Sequence, residues 1–292
     1  MVINHNISAL NTYNKLSANT TATSSALEQL SSGKRINKAA DDAAGLAISQ
    51  KMQQQINGLD TASSNAQNGI SLIQTAEGAL SESQSILQRM NELAVQAANG
   101  TNTTADASKL QDEVTQLQST LDSISSQTTF NSKQIFGTTN GDGLLSASGI
   151  TLQVGASTGD TLSVQLSGVG SMTAGISSTD LGVGTANICL TGTSTASAVA
   201  SANAAITNIT SAIDTVSQLR SKLGAYQNQL THTINNLSTE SENLTSAVSS
   251  ITDVDMAKEM TEFTKNNILV QSSEAMLAQA NQLPQGVLSL LK

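Results

Sequence analysis

The chain has 292 residues, of which 2% are aromatic and none is tryptophan, so a thick globular core is not expected. Its formal net charge of −9 disfavours nucleic acid as a partner, because phosphate binding needs concentrated Lys and Arg. The single cysteine, Cys189, excludes an intrachain disulfide and a multi-cysteine metal site. The sequence shows no membrane-spanning apolar run and no Sec-type signal peptide. On these grounds alone, the expected location is the cytoplasm.

Residues 1–136 are predicted to be helical throughout, in three segments. The first carries an apolar stripe that shifts register part-way, which predicts a local stutter in a coiled coil. The apolar residues of this stripe are Ile3, Ile7, Leu10, Leu27 and Leu30. The second segment begins near Ala43, after the acidic capping pair Asp41 and Asp42, and ends at Asn99–Gly100. The third carries a strict heptad pattern from Leu110 to Ile124.

The stretch 209–251 carries the longest heptad pattern of the chain. Ten of its thirteen seam positions are apolar, and Arg220 and Gln227 are polar exceptions expected to be partly solvated or hydrogen-bonded. A helix of this length spans about 64 Å and has to bury its apolar stripe against other helices. The two long segments before residue 136 supply such partners within the same chain, which predicts an elongated helical bundle.

Residues 137–195 differ from the rest of the chain. Twelve of the chain's twenty glycines lie there, and only three residues in this stretch are charged. Short alternating runs at 150–154 and 161–166 predict strands joined by turns, so we expect a small β-rich insertion with one or two hairpins. An insertion of this kind is where a helical fold tolerates variation.

The C-terminal segment, 256–292, again carries apolar residues at heptad spacing, namely Leu269, Met276, Leu283, Val287 and Leu290. Both ends of the chain are therefore predicted to be amphipathic helices that pair with each other and with neighbouring copies. Terminal helices that cannot build a core of their own are expected to stay disordered until assembly covers them. The predicted fold is mainly α, with paired terminal coiled-coil helices.

Several motifs resemble those of the bacterial flagellins, the subunits of the flagellar filament. They are VINHNISAL at 2–10, LSSGKRINKAADDAAGLAIS at 30–49, TAEGAL at 75–80, LQRMNELAVQAANGT at 87–101 and LAQANQLPQ at 277–285. The resemblance covers residues 1–136 and 196–292, about four fifths of the chain. The insertion between them has no such likeness.

The resemblance implies a domain organisation. Residues 1–41 and 256–292 would form the inner tube of a filament, and 42–136 with 196–255 would form a helical rod around it. The insertion, 137–195, would face outward. The protein would be a self-assembling structural subunit for swimming motility, located outside the cell in the flagellum. This expectation replaces the cytoplasmic one, because flagellins are exported unfolded through the flagellar channel without a cleaved signal peptide.

The resemblance also implies partners. They are other copies of the chain, an export chaperone on the C-terminal helix, the filament cap and the hook–filament junction proteins. Arg89, Leu93 and Glu113 match flagellin positions that contact neighbouring protofilaments and that a flagellin-sensing Toll-like receptor recognises. No nucleic acid or membrane partner is expected.

Two other functions agree less well with the sequence. An enzyme is disfavoured because metal, phosphate-binding and nucleophile-elbow motifs are missing and the chain has only two histidines and one cysteine, so no cofactor is expected. A hook–filament junction subunit would share the terminal helices and remains the alternative. The full helical motifs at 39–48 and 87–101 favour the filament subunit.

Overall fold

The computed structural model describes residues 6–136, 149–165, 176–185, 187–192 and 194–290, excluding the side chains of 195 and 283–290. Its helices are α1 (Ile7–Ser32), α2 (Ala43–Ala97), α3 (Thr104–Gln127), α4 (Thr195–Thr252) and α5 (Met256–Leu290). Four short strands form two antiparallel pairs. They are β1 (Thr129–Phe130), β2 (Lys133–Gln134), β3 (Ile150–Gln153) and β4 (Thr161–Val164). The predicted mainly α fold is confirmed, including a small β-rich insertion.

The chain divides into two compact units, one of residues 1–56 with 242–292 and one of residues 57–241. In the second unit, α2, α3 and α4 bury their heptad seams together. Leu87, Leu121 and Leu223 are fully inaccessible to solvent. Each such side chain contributes about 1.5–3 kcal/mol relative to an exposed one. The predicted bundling of these segments within one chain is therefore confirmed.

Polar residues fix the ends and the middle of this bundle. The Thr103 side chain accepts a hydrogen bond from the Asp106 backbone N–H, and the Asp106 carboxylate accepts one from the Thr103 N–H. The Thr103 hydroxyl and backbone N–H lower the pKa of Asp106. In the α4 seam, the Arg220 guanidinium donates to Gln84 Oε1 at 2.6 Å. The sequence predicts that Arg220 is either partly solvated or hydrogen-bonded, and the structure shows it hydrogen-bonded across the seam.

The described part of the insertion packs on the helices of the second unit. Leu152 of β3 lies against α2 at Gly69, where an added Cβ would clash with the leucine side chain. Asn65 donates a hydrogen bond from Nδ2 to the Gln153 carbonyl at 3.2 Å. Val164 of β4 is fully buried in the same hydrophobic cluster as the helices. The hairpin is therefore part of the core of this unit.

The described residues of the segment 176–192 form a series of turns that lie along α3. Polar side chains of α3 bind the backbone of this segment, which runs antiparallel to the helix. Asp122 accepts from the Ser178 N–H at 2.6 Å, and Gln118 donates to the Val183 carbonyl at 2.6 Å. Gln111 accepts from the Leu190 N–H at 2.6 Å. Five apolar residues of the segment are buried, namely Ile176, Leu181, Val183, Ile188 and Leu190. The polar side chains of α3 thus satisfy backbone groups of the segment that have no neighbouring strand as a partner.

Candidate assembly surface

In the first unit, α1 and α5 pack against each other. Asn6 caps α1 by accepting from the Ala9 N–H, and it donates from Nδ2 to the Ala280 carbonyl at 2.9 Å. Further along, Asn19 Nδ2 donates to Ser273 Oγ at 3.1 Å. Residue numbers increase along α1 while those of their partners in α5 decrease, so the two helices are antiparallel. This places the two ends of the chain side by side, as predicted.

The covered line of α1 differs from the predicted stripe. It follows regular three-four spacing through half-buried or buried residues, namely Ala9, Thr12, Leu16, Asn19, Thr23, Ala26 and Leu30. The predicted stutter is wrong, because the contact line is continuous and consists mainly of small and polar residues. The sequence pattern followed the large apolar residues, most of which lie beside this line.

The covered line of α5 is also displaced from the predicted one. It runs through Phe263, Asn266, Val270, Ser273, Leu277 and Ala280. Of the predicted residues, Leu269 is 39% exposed and Met276 is 57% exposed, so neither lies in the seam with α1. The side chains of Leu283, Val287 and Leu290 lie outside the described residues, as does Ile3.

The terminal helices thus leave a large apolar surface uncovered. Nine of the eleven exposed large hydrophobic residues in the described part of the chain belong to α1 or α5. They are Ile7, Leu10, Tyr13, Leu27, Met256, Met260, Ile268, Leu269 and Met276. Among the predicted assembly residues, Leu30 differs, because it is half-buried on the covered line of α1. Exposed apolar surface of this extent marks sites of protein interaction.

The turns that join these helices to the rest of the chain are bound to each other. Lys34 and Asp253 form an antiparallel bridge, and the Arg35 guanidinium donates to the Ile251 carbonyl at 2.7 Å. This places a cation at the C-terminal end of α4, where the helix dipole favours it. Asp41 accepts from the N–H groups of Lys38 and of the preceding asparagine, which lower its pKa. The motif at 30–49 therefore builds this double turn and caps α2.

A second candidate surface contains Arg89 and Glu113. Arg89 Nη2 lies 2.8 Å from Glu113 Oε1, and its Nη1 lies 3.0 Å from Glu92 Oε2. These hydrogen bonds from the guanidinium, chiefly the one to Glu113, raise the pKa of Arg89. Leu93 is only 2% exposed and belongs to the helical core, so it supports this surface from beneath. The sequence pattern missed Val95, which is 56% exposed on the same helix.

Within the described ranges, no group of three or more His, Cys, Asp and Glu side chains is placed to hold a metal ion. The helices described there also lack the combination of length and apolar character that crossing a bilayer requires.

Comparison with known proteins identifies the family. Residues 3–141 match the bacterial flagellin N-terminal helical region, and residues 206–291 match the C-terminal helical region. The chain belongs to the bacterial flagellin family. It is 52% identical to the flagellin of Bacillus subtilis over 304 residues that cover all of both chains. It is 43% identical to a flagellar filament 33 kDa core protein of Treponema phagedenis, again over the whole of both chains.

Membership in the flagellins makes this chain a structural subunit of the bacterial flagellar filament, outside the cell, where it polymerises with copies of itself. A solved Vibrio parahaemolyticus structure, described as a flagellar hook-associated protein, matches 73% of this flagellin and all of that chain, with a TM-score of 0.58. At 16% identity this likeness concerns the fold alone. It gives no support to the alternative function of a junction subunit.

Proposed function

We propose that the exposed apolar residues of α1 and α5 form the surface through which copies of this flagellin assemble. The observation that carries the proposal is the concentration of exposed large hydrophobic residues on these two helices, with Ile7 62% and Ile268 61% exposed. Their own seam consists mainly of small and polar residues, so pairing within one chain leaves the large side chains uncovered. Covering them with neighbouring copies gains about 25 cal/mol per Å² of apolar area.

The direct test removes residues 256–292. The core of the 57–241 unit does not include α5, so the truncated protein should keep most of its helical circular dichroism. We expect it to stay in the supernatant when it is sedimented under conditions in which the full chain forms filaments. Sedimentation of the truncated protein as filaments would contradict an assembly role for α5. A second variant, full-length Met276→Ser, separates loss of this surface from loss of the helix.

We further propose that Arg89 and Glu113 form a contact surface between protofilaments, and that the flagellin-sensing Toll-like receptor recognises the same surface. Both side chains are exposed and hold each other in a fixed orientation. Arg89→Ala should reduce filament formation and receptor signalling, measured with purified protein and a receptor reporter cell. Lys109→Ala, an exposed basic residue on α3, serves as the control. If Arg89→Ala changes neither readout, the assignment is wrong.

The predicted domain boundaries and remaining partners also form part of this proposal. The boundaries at 41/42 and 255/256 lie at the ends of the two connecting turns, whereas the compact units divide at 56/57 and 241/242. Export in an unfolded state, a retained N-terminal segment, a chaperone on α5, and contacts with cap and junction proteins follow from the flagellin family. Terminal sequencing of shed filaments tests whether the N-terminal segment is retained.

A further inference from the structure

The sequence contains four Asn-Gly pairs, at Asn57–Gly58, Asn68–Gly69, Asn99–Gly100 and Asn140–Gly141. Such a pair can deamidate without an enzyme. The backbone nitrogen of the glycine attacks the asparagine side-chain carbon, and ammonia leaves as a succinimide ring closes. Water then opens the ring to aspartate or isoaspartate, so the net reaction consumes one water and releases one ammonia. The fourth pair lies outside the described residues.

The first two pairs are held in unreactive geometry. Both lie in the interior of α2, where the helix fixes the backbone and engages the glycine N–H groups. The β3–β4 hairpin segment also covers them, since an added Cβ at Gly58 would crowd Ala156 and one at Gly69 would clash with Leu152. Ring closure at either pair requires local opening of the helix and its cover.

The pair Asn99–Gly100 lies in the turn after α2, and both residues are exposed. The Thr101 backbone N–H donates to Asn99 Oδ1 at 3.4 Å, so it contacts the oxygen on which negative charge develops when the side-chain carbon is attacked. The space beside Gly100 is open, because an added Cβ would meet no described atom within 4 Å. Exposure, open space and a donor for the developing charge therefore coincide at this pair.

We propose that Asn99 is a spontaneous deamidation site of the folded protein. The reaction adds one negative charge to the formal −9 of the chain. It places that charge at the C-terminal end of α2, where the helix dipole disfavours an anion. The isoaspartate product also lengthens the backbone at Asn99, whose carbonyl accepts the Asn102 N–H of the same turn at 3.1 Å. Each subunit therefore acquires an age-dependent change at the turn between α2 and α3.

The test compares the pairs within one protein. The full chain is incubated in heavy-oxygen water, either native or in concentrated urea, and then digested with trypsin. Residues 90–109 form one peptide with Asn99, residues 52–89 form another with both helical pairs, and 134–220 contains Asn140. Fragment ions locate the heavy oxygen. We expect native Asn99 to be labelled at least about tenfold faster than Asn57 or Asn68, because only the helical pairs need local opening.

In urea, the labelling rates at Asn57, Asn68 and Asn99 should converge, since the helix no longer protects the first two. Equal labelling in the native protein, or slower labelling at Asn99, would overturn the proposal. Gly100→Ala provides a second test, because the open space accepts the methyl group while the larger residue hinders ring closure. This variant should keep its unfolding temperature and lose most of the native label at Asn99. Undiminished labelling would exclude the succinimide route.

Discussion

The terminal helices and the three-helix bundle use their large apolar residues in opposite ways. In the bundle of α2, α3 and α4, residues such as Leu87 and Leu121 are completely buried within one chain. In the α1–α5 pair, the seam consists mainly of small and polar residues, and side chains such as Leu10 and Met276 stay exposed. The bundle buries its large apolar residues within one chain, whereas the terminal pair leaves many of its own exposed.

The difference has an energetic consequence for a free subunit. Small residues such as Ala9 and Ala26 bury less apolar area than leucines at the same positions would, so they contribute less to the stability of the α1–α5 pair. Two polar contacts, from Asn6 and Asn19, add direction and register to the pair. Such contacts each contribute about 0.5–1.5 kcal/mol. We therefore expect the order of the terminal pair to depend on assembly more than the order of the bundle does.

The largest expected effect comes from a core residue of the bundle. Leu121→Ala should lower the free energy of unfolding by about 2–5 kcal/mol, because it leaves a cavity at a fully buried site. Chemical denaturation followed by far-ultraviolet circular dichroism measures the change. Asp112→Ala, an exposed position on the same helix, is the control. If Leu121→Ala lowers the free energy of unfolding no more than Asp112→Ala does, the contrast between the bundle and the terminal pair is refuted.

Much of the bundle could be predicted from the sequence. Regular heptads of Leu, Ile and Val mark buried helix faces, and the Asp42 cap places the start of α2 correctly at Ala43. The seam positions from Ile209 to Leu230 are buried or half-buried, as their spacing indicates. These features are local, because helix periodicity and capping depend on residues only a few positions apart.

The pairing of the terminal helices was harder to predict. A search for large apolar residues selects Leu10, Leu269 and Met276, whereas the intrachain contact uses smaller neighbours. The pattern selected residues on the exposed faces of α1 and α5, beside the line along which the two helices pair. The segment bound to α3 was also missed, because Gln111 and Gln118 bind backbone atoms more than sixty positions away. Polar side chains with such partners carry no periodic signal.

A smaller effect on the subunit, with a large effect on assembly, is expected at Leu10. Leu10→Ser should change the free energy of unfolding of the monomer by no more than about 0.5 kcal/mol, because the side chain is 56% exposed. It should raise the critical concentration for polymerisation roughly tenfold or more, since a leucine buried between copies contributes about 1.5–3 kcal/mol. Light scattering across a concentration series measures this threshold.

The control for Leu10 is Asn11→Ser, which alters an adjacent exposed residue and removes no apolar area. Its critical concentration should stay close to that of the unmodified chain. If Leu10→Ser unfolds the monomer as strongly as Leu121→Ala does, Leu10 stabilises the single chain and the contrast between the regions fails. If it changes neither stability nor polymerisation, the exposed face of α1 is not an assembly contact at this position. Only a loss of polymerisation without a loss of monomer stability fits a helix pair whose large apolar residues are buried by another copy.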